Sequence, residues 1–265
     1  MQKGIKFRIY PNKEQQNLIN QTLGCCRLIY NKGLAMRNEA YESGNKIGYA
    51  QTSAMLTELK KCEDFAFLKV IDSIALQQSL RDLDRGFVNF FQKRAAHPTF
   101  KSKHNRHQSY RTVNQGNNIR IAGKYIKLPK LGYTKIRQSM EVGKINNVTI
   151  KCTPAGKCFA VLNVEFEPQP RANNGGCIGI DVGIKDFYSD SNGKVEPNPK
   201  YLEKSMRKLT REQRMLSRKQ KGSNNRNKQR VKVALAHEKI TNQRNDFLQK
   251  QSTMLIRENQ TICIE

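Results

Sequence analysis

A short apolar run, Cys177-Ile178-Gly179-Ile180-Asp181-Val182, limits what this chain can fold into more than any other stretch. Its length and composition predict a buried strand, and it carries one carboxylate, Asp181, where burial without a partner is costly. Gly179 and Gly183 flank that carboxylate and leave room for a ligand or a second backbone, and Gly183 ends the run. Phe187 to Ser189 predicts a second strand, and Ser191-Asn192-Gly193 is a hairpin turn signal into a third, Lys194 to Glu196. Asn198-Pro199 predicts a helix start, with Asn as cap and Pro in the first helical position, and Tyr201 to about Glu258 is helical in composition. Thr261-Ile262-Cys263-Ile264 is one more short apolar strand, followed by Glu265.

Three strands, a helical excursion and a fourth strand make the opening of an RNase H-like fold, in which the fourth strand returns parallel to the first. That order sets Asp181 and Glu265 side by side. Five stretches then occur in sequence: Gly179-Ile180-Asp181-Val182-Gly183-Ile184-Lys185-Asp186-Phe187, Asn198-Pro199-Lys200-Tyr201, Leu216-Ser217-Arg218-Lys219-Gln220-Lys221-Gly222, His237-Glu238-Lys239-Ile240 and Asp246-Phe247-Leu248. Together they resemble the OrfB/TnpB transposon-encoded proteins, compact RNA-guided DNA nucleases with a RuvC-type domain, related to the type V CRISPR effectors.

The resemblance implies an α+β multidomain chain. A small wedge-type β-barrel (residues 1–10 and 97–170) is interrupted by a helical recognition lobe (11–96) and followed by an incomplete RuvC (RNase H-like) α/β domain (171–265). It implies guide RNA and target DNA as partners and a two-metal Mg²⁺ site, with Asp181 as bridging ligand and Glu265 as the second. In the family a third carboxylate lies on a later helix, beyond a C-x-x-C…C-x-x-C zinc module, and this sequence contains neither. The expectation is a chain truncated at the second RuvC motif that does not cleave alone: a truncated gene product, a split protein completed by a second chain, or an artificial fragment. Two function classes stay open. One is the N-terminal part of a transposase-associated, RNA-guided DNA endonuclease. The other is a catalytically inactive nucleic-acid-binding repressor or decoy.

The charge points the same way independently. Forty-eight Lys and Arg against 22 Asp and Glu give +26 over 265 residues, spread through segments that also carry periodic apolar residues, which argues for a polyanionic partner. No apolar run approaches the length of a spanning helix and no signal peptide is visible, so nucleic acid ranks well ahead of membrane headgroups, no membrane partner is expected, and a cytoplasmic location is expected. The seven cysteines are scattered, with no C-x-x-C pair, and are expected to be reduced, mostly buried small hydrophobes, with no zinc site.

Ile5, Phe7 and Ile9 alternate with Lys6, Arg8 and Tyr10, a half-buried strand with no partner nearby. Asn12 with Gln15 three residues on predicts a helix start, running to about Ser43. Further helices are expected at about Thr52 to Cys62 and Ile71 to Ala96. Short strands follow at Ile119-Ile121, Tyr125 to Leu128, Lys135 to Arg137, Asn147 to Cys152 and Phe159 to Phe166. The first strand is expected to join them. Pro168 to Arg171 and Asn173 to Gly176 form a linker.

Two stretches carry the mix that grips phosphates and stacks on bases. Phe100 to Thr112 offers Lys101, Lys103, Arg106, Tyr110, Arg111 and Thr112. Tyr201 to Leu235 holds twelve Lys or Arg and two Glu, a net of +10, with Arg207, Lys208, Arg211, Arg218, Lys219 and Lys221 the expected contacts to an RNA or RNA–DNA duplex. By resemblance only, Tyr49, Gln51, Thr52 and Gln77 fall where the helical lobe reads a short DNA motif beside the target.

Overall fold

The computed structural model describes residues 1–105, 108–168 and 175–265, in two compact units, Met1–Pro168 and Gln169–Glu265. The expected linker falls mainly on 169–174, and Arg106 also lies outside the described residues.

The first unit begins with β1 (Gln2–Tyr10), then α1 (Lys13–Glu42), α2 (Tyr49–Lys61), a 3-10 helix (Glu63–Lys69) and α3 (Ser73–Phe91). Six strands follow: β2 (Gln108–Val113), β3 (Arg120–Ala122), β4 (Tyr125–Leu128), β5 (Gly132–Arg137), β6 (Ile145–Cys152) and β7 (Cys158–Glu165). They form one seven-stranded antiparallel sheet in the order β2-β6-β7-β1-β5-β4-β3. The first strand thus finds its partners at the far end of the unit, from Gln2 opposite Glu165 to Ile9 opposite Cys158. Ile5, Phe7 and Ile9 are the buried face, as their alternation predicts. The sheet keeps two edges, β2 and β3, with no strand pairing between them among the described residues. Asn114 links them instead: its Nδ2 donates to Ile119 O at 3.1 Å and Ile145 O at 2.8 Å.

The helices pack on this sheet in one continuous core that joins Phe7, Ile9 and Leu162 to Ile19, Ile29, Leu76 and Leu80. Each such fully buried side chain contributes roughly 1.5–3 kcal/mol relative to exposure. Asn12 and Gln15 close a reciprocal capping box at the start of α1, at 2.8 and 3.0 Å. β2 was not expected as a strand, because its polar side chains hide the period of two carried by Tyr110 and Thr112.

The cysteine expectation is corrected. Cys152 and Cys158 are register partners across the β6–β7 hairpin, their Cα atoms 4.2 Å apart, and they form a disulfide. Of the remaining five, Cys25 and Cys26 are buried and Cys62, Cys177 and Cys263 are exposed.

The second unit contains β8 (Cys177–Asp181), β9 (Asp186–Asp190), β10 (Val195–Pro197), α4 (Tyr201–Ser217), α5 (Asn224–Glu258) and β11 (Thr261–Ile264). The strand order is β10-β9-β8-β11, with β11 parallel to β8 and the other neighbours antiparallel. Two local expectations are corrected. The helical run breaks at 218–223, where Gly222 takes φ +85° and Ser223 caps α5 by accepting from Arg226 N at 3.1 Å. Asn198 does not cap α4: its Oδ1 accepts from Lys200 N at 3.1 Å, Lys200 takes φ +48°, and its Nδ2 donates to Ile184 O at 3.0 Å. The short polar side chain makes a local turn to the backbone two residues on, which competes with capping.

Candidate metal and nucleic-acid sites

β8 is buried on one face only. Ile178 and Ile180 pack with Tyr188, Leu255 and Ile262, while Cys177 and Asp181 are exposed. The expected fully buried strand is therefore half-buried, and Asp181 carries no desolvation penalty that a partner must offset. The parallel register pairs Ile262 with Ile178 and Ile264 with Ile180, and Glu265 N then donates to Ile180 O at 3.0 Å. Continued by one residue, that register sets Glu265 beside Asp181, on strands about 4.8 Å apart. Two contacts fix the position of β8: Gly179 N donates to Ser191 Oγ at 3.1 Å, and Ser191 N to Gly179 O at 2.9 Å. Gly183 follows Asp181 so closely packed that a Cβ would lie 2.9 Å from Asp186 O, so the turn after the carboxylate requires glycine. The two carboxylates offer only oxygen donors, a set that fits a hard divalent cation. Among the described residues, no group of three or more His, Cys, Asp or Glu comes together to hold a metal.

α4 and α5 form a helical hairpin in the same unit. Arg207, Lys208, Arg211, Arg218 and Lys221 are exposed and Lys219 is half-buried. A groove of about 480 Å³ between the helices is lined by Lys208, Arg211, Lys232 and Lys239, with Glu212 at its wall. Lys239 lies beyond the basic stretch that the sequence singles out, and its helical spacing of seven from Lys232 is the signal that joins them. Glu212 Oε2 accepts from Gln229 Nε2 at 2.7 Å, and this bond, with the Arg211 and Lys232 charges beside it, holds the carboxyl below its ordinary range.

The first unit distributes its expected contacts unevenly. Gln77 is exposed on α3 and Tyr49 is half-buried at the start of α2, its ring 5.3 Å from the Arg81 guanidinium. Gln51 is exposed, and its Oε1 accepts from Gly48 N at 3.0 Å. Lys103 is exposed in a turn, and Lys101 holds its Nζ 3.9 Å from the centre of the Tyr30 ring. Arg111 is half-buried and pairs with Asp82 at 2.6 Å. Thr52 and Thr112 are corrected as surface contacts: they are buried to 1% exposure each and present no surface to a nucleic acid, while Tyr110, at 5%, is buried but reaches the wall of a cavity. Thr52 donates to Gly48 O and Tyr49 O, and Thr112 to Asp72 Oδ2.

A strongly basic, mixed α/β protein with a pair of carboxylates at a sheet end is the class these features define. A family described as "Probable transposase" matches residues 161–265, and one described as "Helix-turn-helix domain" matches residues 1–46. In the structure the latter span is a strand followed by one unbroken helix. The chain is 39% identical over its whole length to a Streptomyces pristinaespiralis protein named "Putative RNA-guided DNA endonuclease", of which it covers 67%. It is 37% identical to InsQ of Escherichia coli K12, which bears the same description, over 98% of the chain and 65% of InsQ. The chain thus spans about two thirds of the length of these relatives. It belongs to the OrfB/TnpB family of transposon-encoded proteins. A Cas12f1-sgRNA-target DNA complex is a distant likeness among solved structures, at TM-score 0.48 and 12% identity, covering all of this chain and 81% of that one.

Proposed function

We propose that this chain is the nucleic-acid-binding part, with two carboxylates of the catalytic site, of a cytosolic RNA-guided DNA endonuclease. The observation that carries the reading is the parallel register of β8 and β11, which brings Asp181 and Glu265 together in the same unit as the basic α4/α5 hairpin. The names of the two relatives support it. On this reading 171–265 begins a RuvC-type domain, the strands of the first unit form a wedge, and α1–α3 form the lobe whose exposed Gln77 and half-buried Tyr49 face a short DNA motif. Base pairing to the guide reads the remaining sequence, while the protein reads shape and that motif.

Asp181 and Glu265 would hold a divalent cation, for which Mg²⁺ suits an all-oxygen set. Once bound, such a cation activates water and stabilises charge on the phosphate. Ser191 and the turn at Gly183 hold Asp181 in place, and the groove cations carry the phosphate backbone. The test is to purify the chain with the RNA it retains, sequence that RNA, and offer matching DNA with Mg²⁺. Cleavage that Asp181→Ala abolishes is the expected result when the remaining ligands are supplied, either in cis by the relatives' full length or in trans by a second chain. Cleavage indifferent to Asp181→Ala would remove the carboxylate from the site, and a chain that retains no RNA would sink the guided reading.

A further inference from the structure

A cavity of about 130 Å³ opens in the first unit where α1, α3, the 101–105 segment and β2 meet. Its wall carries Arg27, Asp82, Lys101, Tyr110 and Arg111. Tyr110 is 5% exposed, and its hydroxyl has no hydrogen-bond partner among the described residues. The same holds for Nε of Arg111, whose Nη2 is spent on Asp82 Oδ1. Neither Arg27 nor Lys101 forms a salt bridge among the described residues. Asp72, the next carboxylate behind Tyr110, is already engaged by Thr112 Oγ1 and Ile74 N.

Buried polar atoms are nearly always paired, and leaving one unpaired costs about 1–3 kcal/mol. The two atoms of this cavity left without a hydrogen-bond partner can both donate, a phenol O–H and a guanidinium N–H, and beside them stand two further cations, Arg27 and Lys101, the latter with its Nζ also over the Tyr30 ring. The occupant must therefore be rich in acceptors and poor in donors. Three cations against the single carboxylate of Asp82 leave +2, which a phosphate monoester matches, with about −1.5 to −2 charges at neutral pH and three acceptor oxygens. A backbone diester carries half of that. Burial pushes the Lys101 ammonium below its ordinary pKa, against the pull of Asp82 and Cys26, so an arriving dianion would find a cation short of compensation.

We propose that this cavity binds a phosphate monoester, the terminal phosphate of a nucleic-acid strand. The inference deepens the nucleic-acid reading above and rests on it.

The experiment is competition binding, by fluorescence anisotropy, of short RNA and DNA strands that are 5′-phosphorylated, 3′-phosphorylated or unphosphorylated, with inorganic phosphate as a further competitor. One phosphorylated strand should bind about tenfold tighter than its hydroxyl counterpart, the worth of one charge-assisted hydrogen bond. Tyr110→Phe and Arg27→Gln should each bring that ratio close to one, while the hydroxyl strand binds Tyr110→Phe as it binds the wild type. Tyr110→Phe keeps the side-chain volume and removes an unpaired hydroxyl, so the unfolding midpoint of the free protein should not fall. A fall would show that the hydroxyl already has a structural partner and would overturn the assignment. Equal affinity for all strands overturns it too, with the nucleic-acid reading intact. Competition by inorganic phosphate without any preference for phosphorylated strands overturns the strand end as occupant. If no strand binds, both readings fail.

Discussion

Thr112 donates its hydroxyl to Asp72 Oδ2 at 2.6 Å with both residues buried, and Asp72 Oδ1 caps α3 through Ile74 N at 3.0 Å. Thr112→Val keeps the shape and leaves a carboxylate oxygen short of its donor, so stability should drop by about 1–3 kcal/mol. Chemical denaturation reads this as a lower midpoint, and an unchanged midpoint would mean that Asp72 finds another donor at no cost. At the proposed cation site, Asp181→Asn removes the charge of one of two carboxylates without changing shape. Divalent cation affinity, measured by calorimetric titration, should fall at least about tenfold, as expected for a lost charge-assisted contact. The two sites differ in how legible they are. That β11 returns parallel beside β8 could be read from the order of the elements, and the apolar residues of the two strands, Ile178 and Ile180 facing Ile262 and Ile264, set the register. Tyr110 and Thr112 could not be placed, because a basic and aromatic mix looks alike in a solvated loop and in a strand with one covered face.

The α4/α5 hairpin is held at its turn by two side chains. Ser223 caps α5, and Arg226 Nη1 donates to Leu216 O and Lys219 O, both at 2.8 Å, satisfying carbonyls at the end of α4. Ser223→Ala should cost about 1 kcal/mol, seen as lost helical ellipticity on heating, and an unaltered melt would show that the turn rests on Arg226 alone. Lower down, Gln229 bonds both the carbonyl and the carboxylate of Glu212. Because these contacts hold the carboxyl's pKa in the folded state below its ordinary value, its contribution is fully present above that ordinary value. It is lost as pH falls through the lower folded pKa. The hairpin should therefore soften on acidification below the ordinary Glu pKa of about 4.3, and Glu212→Gln should flatten the pH dependence of helicity there; equal dependence in both proteins would exclude Glu212 as the source. The break at 218–223 illustrates a limit of reading elements from composition. Gly222 and Ser223 are a stop and a start by their chemistry, but Lys and Arg on both sides keep the helical composition continuous across them.

At the scale of the whole chain the decisive quantity is charge, +26 over 265 residues. A protein that neutralises Z phosphates shows log K falling with log salt at a slope of about −0.9Z on B-DNA and −0.7Z on single strands. The groove between α4 and α5 gathers four of the cations, Lys208, Arg211, Lys232 and Lys239. If each meets a phosphate, changing all four to Gln should reduce the slope on single-stranded RNA by about 3. The loss should be the same on every sequence, because phosphate contacts carry no base information. Were the groove only a solvated face, the same variant would lower affinity through long-range field alone. Such an effect is screened beyond about 10 Å at 0.1 M salt and leaves the slope nearly unchanged. Anisotropy titrations of wild type and quadruple variant across a salt series separate the two, since a parallel pair of lines would strip the groove of its role and converging lines would assign it.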